Sequence, residues 1–160
     1  MQRFTVSGLA VDAANDSPVV LLREQDGERV LPIWIGPGEA NAIALRLAEI
    51  VPARPLTHDL LKRVIAGAGL TVRQVVISDI REHTFFAEII LEGEGWMTRI
   101  DARPSDSIAL ALRTDAPILV SDQVYEKEFG ICPDGDPGRF ERLRQRLRRI
   151  EPGAFGDLNP

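Results

Sequence analysis

The sequence predicts an α+β fold: one domain built from two tandem copies of a three-strand-plus-helix unit. Three observations predict it. Alternating apolar and polar runs, separated by turn residues, occur in groups of three. Each group is followed by an apolar stripe at helical spacing. The second group then repeats the first at a constant offset. Pro37, Ala42, Ala44, Leu45 and Arg46 are matched by Pro104, Ala109, Ala111, Leu112 and Arg113, each 67 positions on (104 minus 37). Glu39 and Ile43 are matched conservatively by Asp106 and Leu110. Alanine and leucine match by composition in any helix, so the proline, the acid and the arginine carry the comparison. Two βββα units, each with an apolar face, pack into a single core of mixed or antiparallel sheets and helices.

The elements follow in order. Residues 3–11 alternate as a strand. Asn15, Asp16, Ser17 and Pro18 form a turn cluster, and Asp26-Gly27 is a hairpin signal between runs 19–24 and 30–35. Gly36-Pro37-Gly38-Glu39 opens a helix, with proline in the first turn where no N–H is needed. Its stripe is Ala40, Ile43, Ala44, Leu47, Ala48 and Val51, and Pro52 to Pro55 stop it. Thr57 is the expected N-cap of a second helix that buries Leu60, Leu61, Val64 and Ile65 and ends at Gly67 and Gly69. The pattern restarts with strands over 70–80, 85–92 and 96–102. A helix follows, opened by Arg103-Pro104-Ser105-Asp106. Residues 117–120 form a short strand, and Ser121 caps a helix to Glu128. The repeat units are thus 3–51 and 70–114 within a domain of 1–131. Residues 132–160 are a linker, a basic amphipathic helix over 139–150 (Phe140, Leu143, Leu147, Ile150) and a frayed end.

Composition excludes several classes. The hydrophobic fraction of 44% and charged fraction of 27% are globular values, not those of a disordered chain. The single cysteine, Cys132, excludes an intramolecular disulfide and a cysteine-cluster zinc site. The start of the sequence shows no signal peptide, and no apolar run is long enough for a membrane span, so a cytoplasmic location is expected. The net charge of −5 argues against binding nucleic acid over the whole surface. Residues 139–150 carry six Arg and one Glu, a local +5 that leaves −10 on the remainder. No aromatic residue interleaves those arginines, so the segment suits docking or self-association as well as a phosphate backbone.

Three strings in order are more specific than any of these. They are Leu31-Pro-Ile-Trp-Ile-Gly36, Pro55-Leu-Thr-His-Asp-Leu60 and Ala102-Arg-Pro-Ser-Asp-Ser-Ile-Ala-Leu-Ala-Leu-Arg113. Over about residues 3–131 the chain resembles the bifunctional nuclease family. The resemblance implies an α+β fold, homo-oligomers, and hydrolysis of DNA and RNA with little sequence preference.

Phosphodiester hydrolysis uses carboxylates that hold a divalent ion, a base, and a cation for the developing charge. Glu39 and Asp106 are equivalent acids in the first turns of the repeat helices. They are either metal ligands for magnesium or manganese, with Asp101 as a third, or acids placed at positive helix ends. Arg46 and Arg113 lie seven residues further on, and either clamp phosphate or pair with carboxylates across the repeats. Arg103 and Asp106 sit where a strand meets a helix N-terminus, a place suited to an anion or to a capped turn. His58 is a candidate general base or a structural histidine of the cap, whereas His83 falls in a solvent-facing turn. Asp122 and Glu126 share a helix face, either as ligands or as a solvated surface. The expected site is therefore Glu39, Asp101, Arg103, Asp106, Arg113 and His58. The alternative is a non-catalytic oligomeric module that holds an anionic ligand at its helix N-termini. A nuclease gathers the acids and an arginine into one place; the alternative scatters them as caps and ion pairs.

Overall fold

In the computed structural model, described for residues 1–130 and 139–151, each alternating run becomes a strand. β1 (Gln2–Asp12), β2 (Ser17–Glu24) and β3 (Val30–Trp34) are followed by α1 (Pro37–Leu47). After α2 (Thr57–Gly67), the order recurs as β4 (Thr71–Arg81), β5 (Thr84–Gly93), β6 (Trp96–Ala102) and α3 (Pro104–Thr114). β7 (Ile118–Val120), α4 (Asp122–Phe129), α5 (Arg139–Arg146) and β8 (Leu147–Ile150) complete the described chain. The linker over 131–138 and the end over 152–160 lie outside the described residues.

The two repeats form one eight-stranded sheet in the order β3-β2-β1-β7-β4-β5-β6, with β8 also paired to β1. Within each repeat the strands are antiparallel. β7 joins the repeats, running antiparallel to β1 and parallel to β4. β3 ends the sheet and tolerates Pro32 because a sheet edge has no second ladder to supply. The core draws on both copies: Phe4, Leu22, Ile43, Ile77, Ile108 and Leu110 are fully buried in one cluster. α1 and α3 pack on each other, and α2 packs mainly on α3.

Four local expectations need correction. α1 stops at Leu47, before Val51, which is 82% exposed. Glu49 adopts φ +57°, the Ile50 N–H reaches the Leu45 carbonyl at 2.9 Å, and the Glu49 N–H reaches that of Arg46 at 3.1 Å. This paired closure ends the helix and turns residues 50–55 outwards. Leu56, not Thr57, stands at the cap of α2, and the Asp59 carboxylate takes up the Leu56 N–H at 3.0 Å. Leu60 and Val64 are 54% and 58% exposed, so α2 buries only Ile65 fully. The helix lies at the margin and is held largely by charged contacts described below.

The fourth correction is the basic helix. It ends at Arg146, and Leu147–Ile150 becomes a strand on β1, opposite Leu9–Asp12. That stretch of β1 offers unpaired backbone groups, and a strand satisfies them where two more helical residues would not. A charge pair fixes the register. Asp12 is fully buried, and its carboxylate accepts Arg146 Nη2 at 2.7 Å, Trp34 Nε1 at 3.0 Å and the Ala14 N–H at 3.1 Å. Burial raises the Asp12 carboxyl pKa, but these donors together outweigh it and hold the group below its ordinary range. Replacing Arg146 with Ala leaves that buried charge without its cation. Hydrogen bonds to charged groups contribute about 1.5–3 kcal/mol, so amide exchange at residues 147–150 should accelerate by about tenfold or more. Unchanged exchange would show that the pair does not hold the strand.

Candidate active site

The site is assembled at the start of α3 from three elements distant in sequence. Pro104 begins that helix and fixes the chain's entry, while Arg103 occupies the cap position in extended backbone. The Arg103 carbonyl accepts both the N–H and the hydroxyl of Ser107 at 3.0 Å. With its backbone tied down, Arg103 extends its guanidinium into solvent between two acids. Its Nη2 meets Glu39 Oε1 at 2.8 Å and its Nε donates to Asp106 Oδ2 at 2.8 Å. The other Asp106 oxygen, Oδ1, lies 2.9 Å from His58 Nε2. The result is a continuous chain, Glu39–Arg103–Asp106–His58, in which α1, α2 and α3 each contribute a side chain.

Glu39 reaches this chain because Gly36 precedes α1. Position 36 is the repeat equivalent of position 103, and a Cβ there would run into the Glu39 carboxylate. Gly36 thus leaves room for the Glu39 carboxylate where it stands. His58 reaches it because the closure at Glu49 and the prolines beyond set α2 across the beginning of α3.

The electrostatics favour an ionised Asp106. Burial raises its carboxyl pKa, but the hydrogen bonds from Arg103 and His58, with their charges, bring it below the ordinary value of 3.8. The Arg103 guanidinium is pushed further up, chiefly by its hydrogen bond and charge contact with Asp106 and then by Glu39. In the neutral form of the ring, an ionised Asp106 selects the tautomer with the proton on Nε2, and Nδ1 is then the acceptor nitrogen.

Four of the six expected residues therefore meet: Glu39, Arg103, Asp106 and His58. Asp101 does not join them. It stays exposed on β6 opposite Glu88, with no ion pair to the other four among the described residues. Arg113 serves differently. Its side chain is 5% exposed, and it donates to Asp59 Oδ1 at 2.7 Å, the Ala109 carbonyl at 2.9 Å and the Ala42 carbonyl at 3.0 Å. Arg46, its repeat equivalent, donates to the Leu112 carbonyl at 2.8 Å. The two arginines cross between α1 and α3 onto carbonyls, and the one carboxylate, Asp59 at Arg113, belongs to α2 between the repeat units, so neither makes the expected carboxylate pair across the repeats.

Magnesium is commonly held through one or two carboxylates together with waters and substrate phosphates, and Glu39 and Asp106 are the two carboxylates of the site. Among the described residues no group of three or more His, Cys, Asp or Glu side chains is placed to hold an ion. Both oxygens of Asp106 and one of Glu39 are already engaged. As arranged, the two carboxylates are held by Arg103 and His58, and a metal would have to displace those contacts.

Lys62 and Arg63, which sequence reasoning passed over, stand one turn beyond His58 and Asp59. Their (i, i+4) spacing was the available signal. Asp59 binds Arg113, and Lys62 Nζ donates to the Arg113 carbonyl at 2.6 Å, so α2 is fastened to α3 through charged groups. Among the described residues, no helix is long and apolar enough to cross a membrane.

Comparison with known proteins places these residues in a family. The profile of the bifunctional nuclease domain matches residues 20–130, which include the whole Glu39–Arg103–Asp106–His58 chain but neither α5 nor β8. An uncharacterized protein of Mycobacterium tuberculosis is 44% identical over 164 residues, covering 97% of this chain and 98% of that protein. Bifunctional nuclease 2 of Oryza sativa subsp. japonica is 30% identical over 117 residues, covering 71% of this chain and 36% of the rice protein. Bifunctional nuclease 1 of Arabidopsis thaliana is 28% identical over 108 residues, covering 65% of this chain and 33% of that protein. The chain thus spans about a third of the length of these plant relatives. With the profile covering most of the chain, the protein belongs to the bifunctional nuclease domain family.

Proposed function

We propose that this protein hydrolyses phosphodiester bonds in DNA and RNA, with His58 as the proton acceptor and Arg103 as the phosphate contact. The observation that carries this reading is the convergence of Glu39, Arg103, Asp106 and His58 from three helices onto one point, half-buried at His58 and exposed at Arg103. Asp106 orients the imidazole, as carboxylates do in other His-dependent hydrolases. His58 Nδ1 takes a proton from water, the water oxygen attacks phosphorus, and one P–O ester bond breaks. The departing oxygen takes up a proton as the imidazolium returns to its neutral form. Arg103 is exposed enough to swing from Glu39 to the non-bridging oxygens, where charge accumulates. Glu39 holds the guanidinium in place between turnovers.

The test uses protein purified free of host nucleases. Cleavage of single- and double-stranded DNA and RNA is followed with magnesium, with manganese and with chelator. Asp106→Asn should slow cleavage by about 10²-fold or more, because the ring loses its anionic partner. Glu39→Gln should have a smaller effect. Cleavage that survives both substitutions would remove the site assignment. Strict dependence on magnesium, lost with Glu39→Gln, would return Glu39 and Asp106 to the role of metal ligands.

A second reading has an observation in its favour. Glu39, Arg103, Asp106 and His58 are already partnered with one another, as in a non-catalytic oligomeric module. Leu60, Val64, Trp96, Met97 and Ile100 also expose apolar surface that a second copy could cover. A clean preparation that never cleaves, yet binds an anion and self-associates, would establish that reading instead.

A further inference from the structure

The proposed catalytic chain has an electrostatic shortfall. Glu39 and Asp106 against Arg103 leave one net negative charge when His58 is neutral, on a protein whose total is −5. A polyanion needs positive potential from elsewhere. A cavity of about 260 Å³ next to the site supplies it. Arg46, Lys62, Arg63 and Arg113 line it, with Asp59 as its one acid, so four formal positive charges face one negative.

The four cations are not equivalent. Arg113 spends its donors on Asp59 and two carbonyls. Arg46 uses Nε on the Leu112 carbonyl, and Lys62 uses one donor on the Arg113 carbonyl. These bonds cap the end of α3 and hold both side chains in place, but carbonyls do not neutralise them. Arg63 is exposed and has no ion pair among the described residues. Among the described residues, donors from three cations remain free beside the cavity. The rest of the lining is apolar, formed by Ile50, Val51, Pro52 and Pro55 from the segment that the Glu49 closure turns outwards. The volume lies just below the range of about 300–1,000 Å³ usual for drug-sized ligands, and suits a phosphate with its sugar.

His58 and Asp59 tie the cavity to the catalytic chain. They are consecutive at the start of α2; His58 meets Asp106, and Asp59 meets Arg113 on the cavity wall. We propose that this cavity is a subsite for a backbone phosphate of the nucleic-acid strand next to the one being cut. Arg46, Lys62 and Arg63 hold the phosphate, and the apolar wall takes the sugar. The subsite rests on the nuclease reading for its ligand, while its charge and shape stand without it.

Binding of a labelled single-stranded RNA and of a DNA of the same sequence tests the subsite. The full chain carrying His58→Gln serves as the background, so that cleavage does not interfere. Arg63→Gln and Arg46→Gln should each weaken binding by about tenfold and reduce the slope of log affinity against log salt by about 0.7. Arg73→Gln, on exposed β4 away from the cavity, should change neither. Affinity and slope unaltered by Arg63→Gln and Arg46→Gln would overturn the subsite, whether or not the protein cleaves. A protein that never cleaves but shows the Arg63- and Arg46-dependent slope would keep the subsite and lose the nuclease reading. Amide shifts at Lys62 and Arg63 caused by inorganic phosphate, with strand binding indifferent to both arginines, would mark a free-anion site and also overturn the proposal.

Discussion

Replacing His58 with Gln should lower the single-turnover cleavage rate by about 10²–10⁴-fold, the usual contribution of a positioned general base. The side chain sits 2.9 Å from Asp106, and glutamine keeps an N–H that can meet the same carboxylate. It has no ring nitrogen to accept a proton. The link between α2 and α3 therefore persists while proton transfer is lost, and the melting temperature should stay close to that of the parent. Adding imidazole to His58→Ala should restore part of the rate, which a purely structural histidine would not permit. Parent-level cleavage by His58→Gln would exclude the base assignment. The same variant separates the two halves of the mechanism. Strand binding, which we attribute to the cations beside Asp59, should be little altered.

The duplication was legible because it is written in residues with strong local consequences. Pro37 and Pro104 each begin a helix, the three strands before each helix keep their order, and α3 begins and ends 67 residues after α1. What escaped was decided by tertiary competition. The stripe Phe140, Leu143, Leu147, Ile150 is good helical spacing, yet its last part becomes β8, because β1 has an edge to fill and Asp12 a buried charge to balance. Leu60 and Val64 have the spacing of a buried face, yet α2 is held through His58, Asp59 and Lys62 and leaves them exposed. Periodicity shows which residues share a face; it does not show whether that face has a partner.

The site was legible in residue type and partly in grouping. Glu39, Arg103, Asp106 and His58 meet at the start of α3, where Arg103 stands at the position equivalent to Gly36 of the first copy. Sequence could not show that Glu39 crosses from the first copy to meet Arg103, or that His58 crosses from α2. It could not separate Asp101 from Asp106 either, since both flank Arg103. The difference lies in direction: Asp106 is on the helix that faces His58, while Asp101 belongs to the sheet-edge strand β6.

Arg113 carries the largest expected effect on stability, and its place in the fold explains why. One buried guanidinium joins α2, α3 and α1 through Asp59, Ala109 and Ala42. Arg113→Met keeps the volume and removes the fork. Losing one partner of a buried pair costs about 3–5 kcal/mol, and the quarter exposure of Asp59 puts this case at the lower end. A loss of about 3 kcal/mol lowers the melting temperature by about 6–12 °C in a chain of this size. Arg113→Lys should fall between the two, because one ammonium cannot span three acceptors in a plane. The pH dependence carries a definite sign. Burial raises the Asp59 carboxyl pKa, but Arg113 and the Leu56 N–H together bring it below 3.8. The pair's contribution is then complete above the unfolded value of about 3.8 and is lost as pH falls through the lower folded value. In Arg113→Met, burial acts unopposed by the cation and the folded carboxyl moves up, so that protonation relieves the variant. The gap between parent and variant, measured by denaturation across acid pH, should therefore begin to narrow above 3.8, as the variant's carboxyl protonates, and go on narrowing below 3.8 as the parent loses the pair. A gap that stays constant would mean that the arginine acts through packing and its two carbonyl contacts, and not through Asp59.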